Sequence, residues 1–196
     1  MSGWVEVITG GMFSGKTEEL IRRVKRAEYA HQKVQVFKPA IDKRYAEEKI
    51  VSHNNIHLQA QPVDTANQIL RLLWSSIDFV AIDEAQFFDH NVVSVCEKLA
   101  GFYGLRVIVA GLNIDALGRP FGPMPGLLVK ADYITTLNAV CVKCGGLASR
   151  TQLLKNGKPV PWQGGPLILV GGENEGYEAR CRDCHEVPGD PKSERR

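Results

Sequence analysis

Short apolar runs recur along the chain, separated by stretches in which apolar residues follow a helical period. Val5 and Val7 alternate with polar neighbours and predict a strand that ends at Gly10. The segment "KVQVFKP" predicts a second strand, which ends at Pro39 because the interior of a sheet does not tolerate proline. The segments "DFVAIDE" and "LRVIVAG" are nearly continuous in apolar residues, which is typical of strands covered on both faces.

Helical spacing fills the intervals between these strands. One helix is predicted directly after the first glycines, a second runs from a cap at Asp64 to about Trp74, and a third lies in "NVVSVCEKLAGFY". The apolar positions of the three helices are Leu20, Val24, Ala27 and His31; Ala66, Ile69, Leu70 and Leu73; and Val92, Val95, Cys96 and Leu99. Alternating strands and helices predict an α/β fold with a doubly wound parallel sheet and a ligand crevice at the carboxyl ends of its strands.

The charge balance limits the classes of partner. The 196 residues include 24 Lys and Arg and 22 Asp and Glu, a formal net charge of +2, which argues against a surface that coats nucleic acid. Basic residues at 22–26 interleave with acidic neighbours and indicate a solvated helix face. No apolar stretch reaches the roughly 18 residues of a membrane span, and the amino terminus has no leader pattern. We therefore predict a cytoplasmic protein without a nucleic-acid or membrane partner.

The segment "ITGGMFSGKTEEL" carries the first candidate chemistry. Gly10, Gly15, Lys16 and Thr17 fit GxxxxGK[ST], and the pattern falls between a predicted strand and a predicted helix. Glycines let successive main-chain amides turn inward around phosphate oxygens, Lys16 can reach the phosphates, and Thr17 can offer its hydroxyl to Mg²⁺. A glycine-rich turn that only caps a helix is the alternative. The predicted ATP- and Mg²⁺-binding residues of this P-loop are Gly10, Gly11, Met12, Phe13, Ser14, Gly15, Lys16 and Thr17.

Two adjacent carboxylates follow the buried strand in "FVAIDEAQFF". Asp83 stands where such loops usually find an aspartate that holds the water shell of the metal. Glu84 comes directly after it; in a hydrolase it would activate water, and in a kinase it would receive the proton of an acceptor hydroxyl. A plain surface carboxylate at a strand end is the alternative for Glu84.

Four of the five cysteines form two CxxC pairs, "CVKC" with Cys141 and Cys144 and "CRDC" with Cys181 and Cys184. Four thiolates complete the tetrahedral shell of zinc, so the pattern predicts a structural zinc site. The 36 residues between the pairs exceed the roughly 15 to 20 of the compact pattern. His185 as a substitute ligand, and disulfides or a redox pair, are the alternatives. Cys96 is predicted to be a buried inert thiol.

The composition changes at about Leu137, where the cysteine pairs bracket a stretch rich in glycine and proline with short β-like runs such as "PLILVGG". We predict a nucleotide-binding α/β domain over residues 1–136, a zinc-binding subdomain over 137–188 and a flexible tail over 189–196. Residues 40–62 show no clear period and predict a functional or mobile loop.

Five segments together resemble one known family. The segments "GGMFSGKT", "DEAQFF", "RPFGPMP", "CVKCGGLASRTQ" and "GYEARCRDCH" are similar in order and spacing to the tetrameric, zinc-containing thymidine kinases common in bacteria and animal cytosol. The resemblance extends from about Trp4 to His185. It implies that ATP phosphorylates the 5′ hydroxyl of thymidine or deoxyuridine in nucleoside salvage, with Glu84 as catalytic base. It also implies a homotetramer and feedback inhibition by thymidine triphosphate.

The resemblance also implies further site residues. Asp83 and Gln86 would continue the donor site, and Arg44 would lie near the phosphates. A lasso loop, here "LVGGENEGY", would close over the nucleoside from the zinc subdomain. The implied nucleoside-binding residues are Phe87, Leu112, Phe121, Thr151, Gly171, Gly172 and Tyr177. For the three aromatic residues in this set, a plain core role is the alternative.

Some positions depart from the pattern of this family. Gly11 stands where proline is common, Asn113 where aspartate is usual and Ala116 where phenylalanine is usual, and "GGENEGY" is one residue longer than typical. Loss of the aromatic ring at 116 would widen the wall of the pocket. Three other functions stay open: a related deoxynucleoside kinase with altered base preference, a P-loop ATPase in which Glu84 activates water and the zinc module binds a partner, and a nucleotide-binding protein that has lost activity.

Overall fold

The computed structural model describes residues 3–40, 49–51, 57–162 and 175–191. The chain forms two compact units: Met1–Thr9, Lys16–Asn113 and Phe121–Thr136 make the first, and Gly10–Gly15, Ile114–Pro120 and Leu137–Arg196 make the second. The division into domains at 136/137 and 188/189 that the sequence suggests stays a prediction.

The secondary structure alternates as the sequence pattern indicates. In chain order the strands are β1 (Trp4–Gly10), β2 (Val34–Pro39), β3 (Lys49–Val51), β4 (His57–Gln59), β5 (Gln61–Val63), β6 (Phe79–Ile82), β7 (Arg106–Gly111), β8 (Tyr133–Leu137), β9 (Ala139–Val140), β10 (Leu147–Ala148), β11 (Arg150–Lys155), β12 (Lys158–Pro159) and β13 (Glu175–Arg180). The helices are α1 (Lys16–Tyr29), α2 (Ala66–Arg71), α3 (Asn91–Gly101) and α4 (Met124–Lys130).

The six-stranded sheet has the order β5-β2-β6-β7-β1-β8, and β5 with β2, β2 with β6, β6 with β7, and β7 with β1 all pair in parallel. Both of its faces are covered. Val107 and Val109 join the main core cluster with residues of α2, α3 and α4, whereas Ile108 points to the opposite face and is equally buried. Contacts of α1 with β2, β6 and β7 cover that opposite face. The predicted α/β fold is confirmed.

Both faces being covered explains the apolar runs of the central strands. All four residues of β6 and all but the first of β7 are buried. Because neighbouring parallel strands end at the same edge of the sheet, Asp83, which follows β6, and Leu112, which follows β7, both lie at that edge.

Two details of the predicted helices are wrong. His31 lies outside α1, because the N–H groups of His31 and Gln32 bond back to the carbonyls of Glu28 and Ala27 (2.9 and 3.0 Å) and end the helix with His31 in a left-handed conformation, φ 59°. The second helix ends at Arg71 rather than near Trp74, and its cap is Thr65 rather than Asp64.

The side chain that serves the start of α2 comes from a distant part of the chain. The N–H group of Ala66 donates to Oδ2 of Asp89 at 3.0 Å, while the N–H group of Asp64 itself donates to Oε1 of Gln68 at 2.8 Å. A tertiary contact with the segment before α3 therefore replaces the local cap that the sequence predicts.

Of the region predicted as a loop, residues 40–62, the described part includes β3, β4 and the first two residues of β5, and each of these strands is three residues long. Strands β3 and β4 pair antiparallel, and β5 joins the edge of the main sheet beside β2. Each strand is too short for an alternation of apolar and polar residues to show in the sequence.

The second unit is built from short antiparallel strands. β9 pairs with β10, and β11 pairs with both β12 and β13. One cluster of buried residues in this unit consists of Ala139, Cys141, Ala148 and Ala179, with Cys181 and Cys184 packed against it. Such small side chains bury little apolar surface, so packing around the paired cysteines contributes little to stability.

Candidate functional site

The P-loop, Gly10–Gly15, has backbone conformations that side chains do not favour. Gly10 (φ +154°) has no room for a Cβ atom, which would lie 2.2 Å from the carbonyl oxygen of Leu137, and Gly15 has φ +85°. Phe13 also takes the left-handed region, φ 63°. Left-handed residues alternating with ordinary ones turn neighbouring N–H groups to one side, which is the arrangement of an anion-binding nest.

Hydrogen bonds within the second unit fix this loop. The hydroxyl of Ser14 donates to the carbonyl of Gly11 at 2.8 Å, and the N–H group of Met12 donates to Oγ1 of Thr151 at 3.0 Å. The Met12 amide is therefore taken by the protein. The loop is tied to β11, which is far away in sequence.

Lys16 and Thr17 begin helix α1, directly after the loop, and meet Asp83 in the first unit. Oγ1 of Thr17 lies 3.4 Å from Oδ2 of Asp83. Burial lowers the pKa of Lys16, against the attraction of Glu84 and Asp83. Lys16, Thr17 and the two predicted carboxylates therefore lie close enough to one another to interact electrostatically.

The carboxylate of Asp83 is only 5% exposed. Burial, followed by repulsion from Glu84, raises the pKa of Asp83 to about 7, although the Glu84 N–H group donates to its Oδ1 at 2.9 Å. A buried carboxylate beside a second carboxylate and a hydroxyl offers hard oxygen ligands and favours a nearby cation. Thr17 and Asp83 therefore fit Mg²⁺.

Glu84 is exposed, in contrast to its neighbour. Its backbone is left-handed, φ 51° and ψ 40°, at the start of a 3₁₀ turn over Ala85–Phe87. A non-glycine residue in this region stores strain that the surrounding structure must hold, as is common at functional sites. The turn aims a charged side chain outward from the end of a fully buried strand.

Gln86 holds the side chain of Glu84 in place. It is 2% exposed, its Nε2 donates to the Glu84 carboxylate, and its Oε1 accepts from the N–H group of Leu112 at 3.0 Å. The amide thus links the ends of β6 and β7. The predicted ATP-binding role of Gln86 stays a prediction; the contacts among the described residues orient Glu84.

Two of the predicted nucleoside-binding aromatics pack against each other. The rings of Phe87 and Phe121 are 5.5 Å apart and nearly perpendicular, at 89°. The N–H group of Phe121 donates to the carbonyl of Asn113 at 3.2 Å. Oδ1 of Asn113 is buried and lacks a hydrogen-bond partner within the described part of the chain. The position that departs from the thymidine kinase pattern therefore carries an unsatisfied acceptor beside this aromatic pair.

The remaining predicted residues fall outside the described part of the chain or belong to the second unit. Arg44, Gly171 and Gly172 fall outside the described residues. Thr151 is 3% exposed in β11, opposite Ala179. Tyr177 lies in β13 opposite Leu153 and is partly buried. The roles in nucleoside binding stay predictions.

The four paired cysteines form one cluster in the second unit. Their sulfur atoms lie within 4.8 Å of one another, and those of Cys144 and Cys181 are 3.7 Å apart. Two ligands of a tetrahedral ion at about 2.3 Å from each sulfur would have this separation. Burial opposes ionisation of Cys141, but main-chain N–H groups of both CxxC turns lower the pKa of its thiol to about 6. The cluster fits a structural zinc ion.

The alternatives for the cysteines fare differently. All five cysteines are free, so the disulfide alternative is wrong. Cys96 is 1% exposed, and burial raises the pKa of its thiol to about 12, which confirms the inert buried thiol. Nε2 of His185 lies 2.9 Å from the carbonyl oxygen of Ala116 and therefore donates to it. The four-sulfur cluster is complete without this ring.

Sequence reasoning missed two positioning contacts. His185 was considered only as a metal ligand, although its position next to Cys184 was a signal that it could anchor a neighbouring loop. The hydrogen bond from Gln86 to Glu84 depends on the tight turn after β6. A spacing of two residues in the sequence does not by itself indicate such a turn.

A strand, a glycine-rich loop and a helix that begins at the lysine, with an aspartate at the end of another parallel strand, define a P-loop nucleotide-binding protein. A family model described as thymidine kinase matches residues 3–185, nearly the whole chain. The chain therefore belongs to the thymidine kinase family and is a kinase. The cysteine cluster is consistent with the zinc-containing class of this family. Among the described residues, none of the helices has the length and apolar character needed to cross a membrane.

The zinc assignment predicts a difference between two cysteine substitutions. Cys181→Ser removes one of four thiolates, and we expect the zinc content of the purified protein to fall well below about one ion per chain. Cys96→Ala is the matched control, because it removes the cysteine outside the cluster, and it should keep the full content. Elemental analysis with a protein assay measures both. Equal zinc content in the two variants would contradict the assignment.

The raised pKa of Asp83 predicts a pH-dependent effect on stability. Below the ordinary pKa of an aspartate, the Asp83 carboxyl is protonated in both the folded and the unfolded protein. The folded protein binds this proton more tightly than the unfolded protein does, and the stability that results is lost as the pH rises through about 7. Asp83→Asn cannot titrate. In the absence of ligands we expect its thermal stability relative to the parent to be greater at about pH 8 than at about pH 5, while Mg²⁺-dependent nucleotide binding is lost.

Thermal unfolding at both pH values measures this difference. Asp64→Asn is the control, because it makes the same chemical change at an exposed position. A variant at position 83 that is relatively less stable at the higher pH would show that ionised Asp83 stabilises the fold.

Proposed function

We propose that the chain transfers the γ-phosphoryl group of ATP to the 5′ hydroxyl of thymidine or deoxyuridine, as an ATP:thymidine 5′-phosphotransferase. The observation that carries the proposal is the pair at the end of β6, a buried Asp83 beside Thr17 and an exposed Glu84 held by Gln86, in a chain of the thymidine kinase family. A metal-binding carboxylate and a base for an acceptor hydroxyl are what phosphoryl transfer to an alcohol requires.

On the donor side, the amides of the P-loop bind the phosphates and Lys16 adds a positive charge at their end. Thr17 and Asp83 would hold Mg²⁺, which neutralises charge that develops on the transferred group. Binding of this ion favours ionised Asp83, which burial disfavours in the free protein. The donor site is therefore electrostatically incomplete without its ion.

On the acceptor side, Glu84 orients the 5′ hydroxyl and takes its proton. An alcohol is too weak an acid for a carboxylate to ionise beforehand. In a loose transition state for phosphoryl transfer the base needs only to accept the proton late, so a carboxylate suffices. The hydrogen bond from Gln86 goes to one carboxylate oxygen of Glu84, and we propose that the other oxygen accepts the proton.

Three further properties are proposed from the resemblance. The first is the predicted lasso segment "LVGGENEGY", of which residues 169–174 lie outside the described residues; we propose that it covers the nucleoside and excludes water. We propose that Phe87, Leu112, Phe121, Thr151 and Tyr177 contact the nucleoside. The enzyme is a cytoplasmic homotetramer. Thymidine triphosphate inhibits it.

The experiment that tests the function is the release of ADP from Mg·ATP with and without thymidine. We expect release to depend on thymidine or deoxyuridine. Release at the same rate without any nucleoside would favour the ATPase instead. A panel of deoxynucleosides in the same assay tests the base preference, and turnover of a purine alone would point to Asn113 and Ala116.

The assigned base predicts the effect of Glu84→Gln. Glutamine can still accept the hydrogen bond from Gln86 but cannot take a proton, so we expect kcat to fall by about 10²- to 10⁴-fold while affinity for a non-hydrolysable ATP analogue stays nearly unchanged. Glu28→Gln, at an exposed position of α1, is the control for loss of one negative charge. A Glu84→Gln enzyme with near-normal kcat would show that another group accepts the proton.

A further inference from the structure

One main-chain N–H group of the P-loop is hydrogen-bonded to a protein side chain instead of being left for a phosphate ligand. The N–H group of Met12 donates to the hydroxyl of Thr151 at 3.0 Å. Thr151 is 3% exposed, so water does not compete freely for this bond. The loop residue that follows, Phe13, takes the left-handed conformation on which the nest depends. Thr151 thus holds the backbone at the point where the loop turns.

One path leads from the first cysteine pair to Thr151. Between Cys141 and Cys144, the N–H group of Val142 donates to the carbonyl of Ala179 at 3.0 Å. Ala179 lies directly opposite Thr151 in the ladder of β13 with β11. The first CxxC turn is therefore one main-chain hydrogen bond and one strand pair away from the residue that holds the loop.

A second path leads from the other cysteine pair. Two residues after Cys184, the N–H group of Glu186 donates to Oε1 of Gln152 at 2.8 Å, and the carbonyl of Glu186 accepts from Nε2 of Gln152 at 2.9 Å. Gln152 follows Thr151 in β11. The first CxxC turn thus reaches Thr151 through Ala179 of β13, and the segment after the second pair contacts Gln152 of β11 directly. Removal of a metal from the four sulfurs would loosen both paths at once, because the cluster of small buried residues around them offers little packing instead.

We propose that Thr151 is a positioning residue that transmits the geometry of the four-cysteine site to the P-loop, so that the zinc site controls affinity for the donor nucleotide. The inference rests on the proposed function only in taking ATP as the ligand of the loop. Its physical basis is preorganisation: with Met12 fixed, the loop backbone keeps one conformation, and nucleotide binding does not have to order it.

Two substitutions separate the hydroxyl from the shape of Thr151. Thr151→Val keeps the shape and removes the acceptor, whereas Thr151→Ser keeps the acceptor. Affinity for a fluorescent, non-hydrolysable ATP analogue with Mg²⁺ is measured without nucleoside. We expect the valine variant to bind about three- to tenfold more weakly and the serine variant to bind like the parent. Unchanged or tighter binding by the valine variant would overturn the proposal.

Zinc removal provides the second arm of the experiment. We expect the zinc-free parent, verified by elemental analysis, to lose analogue affinity by at least the factor seen for Thr151→Val. Zinc removal should then weaken the valine variant clearly less than the parent, because both changes break the same path. Independent, multiplying losses would overturn the coupling.

Amide hydrogen exchange gives a readout without ligand. The chain has three methionines, and selective ¹⁵N-methionine labelling leaves the main-chain amides of Met12 and Met124 to observe beside the terminal residue. Met124 donates to Phe121 at 3.1 Å in the first unit and is the internal control. We expect exchange at Met12 to become about tenfold faster in Thr151→Val and in the zinc-free parent, with Met124 unchanged.

The exchange measurement keeps the inference testable if the valine variant does not fold, because the zinc-free parent alone must show faster exchange at Met12. Slow exchange there would overturn the proposal. The outcome is also distinct from failure of the proposed function. If nucleosides are not phosphorylated but the pattern of analogue affinity and exchange holds, the proposed reaction is wrong and the coupling stands.

Discussion

The anion-binding backbone conformation of the P-loop is not stable by itself, and the rest of the site depends on the contacts that maintain it. Side chains that could brace the loop are excluded at Gly10, where a Cβ atom would collide with the Leu137 carbonyl. The support therefore comes from outside: a strand before the loop, a helix that begins at Lys16, and the hydroxyl of Thr151. Binding strength then becomes a property of the scaffold as much as of the loop.

The same division appears at the end of β6, where adjacent residues have opposite environments. Asp83 is buried and needs a cation before its charge is stable, whereas Glu84 is exposed and is oriented by Gln86. Burial suits a group that holds a metal in one place, and exposure suits a group that must meet a substrate. One tight turn with a left-handed residue therefore gives two adjacent carboxylates the different environments that their proposed roles require.

The sequence was sufficient where a local rule decides the structure. Buried runs such as "FVAI" and the CxxC spacing can be recognised from neighbouring residues alone. The strands and the cysteine cluster that they predict are present in the structure. It failed where a distant residue decides. Asp89 replaces Asp64 at the start of α2, a helix end moves His31 out of the apolar face, and nothing local to Met12 indicates Thr151 as its partner. Rules based on sequence patterns use residues that are close in the chain, so they do not predict contacts between residues that are distant in sequence.

The metal site follows from the size of the unit that contains it. A cluster built on alanines and cysteines buries little apolar surface, so a metal bound to the four cysteines would add the stability that packing provides in the first unit to strands of only two to six residues. A metal cross-link differs from a packed core in one respect: it is reversible, and its loss acts on every strand it joins. The conformation of a binding loop that is held by Thr151 of such a unit therefore depends on whether the metal site is occupied. A loop held by a packed core would have no such dependence.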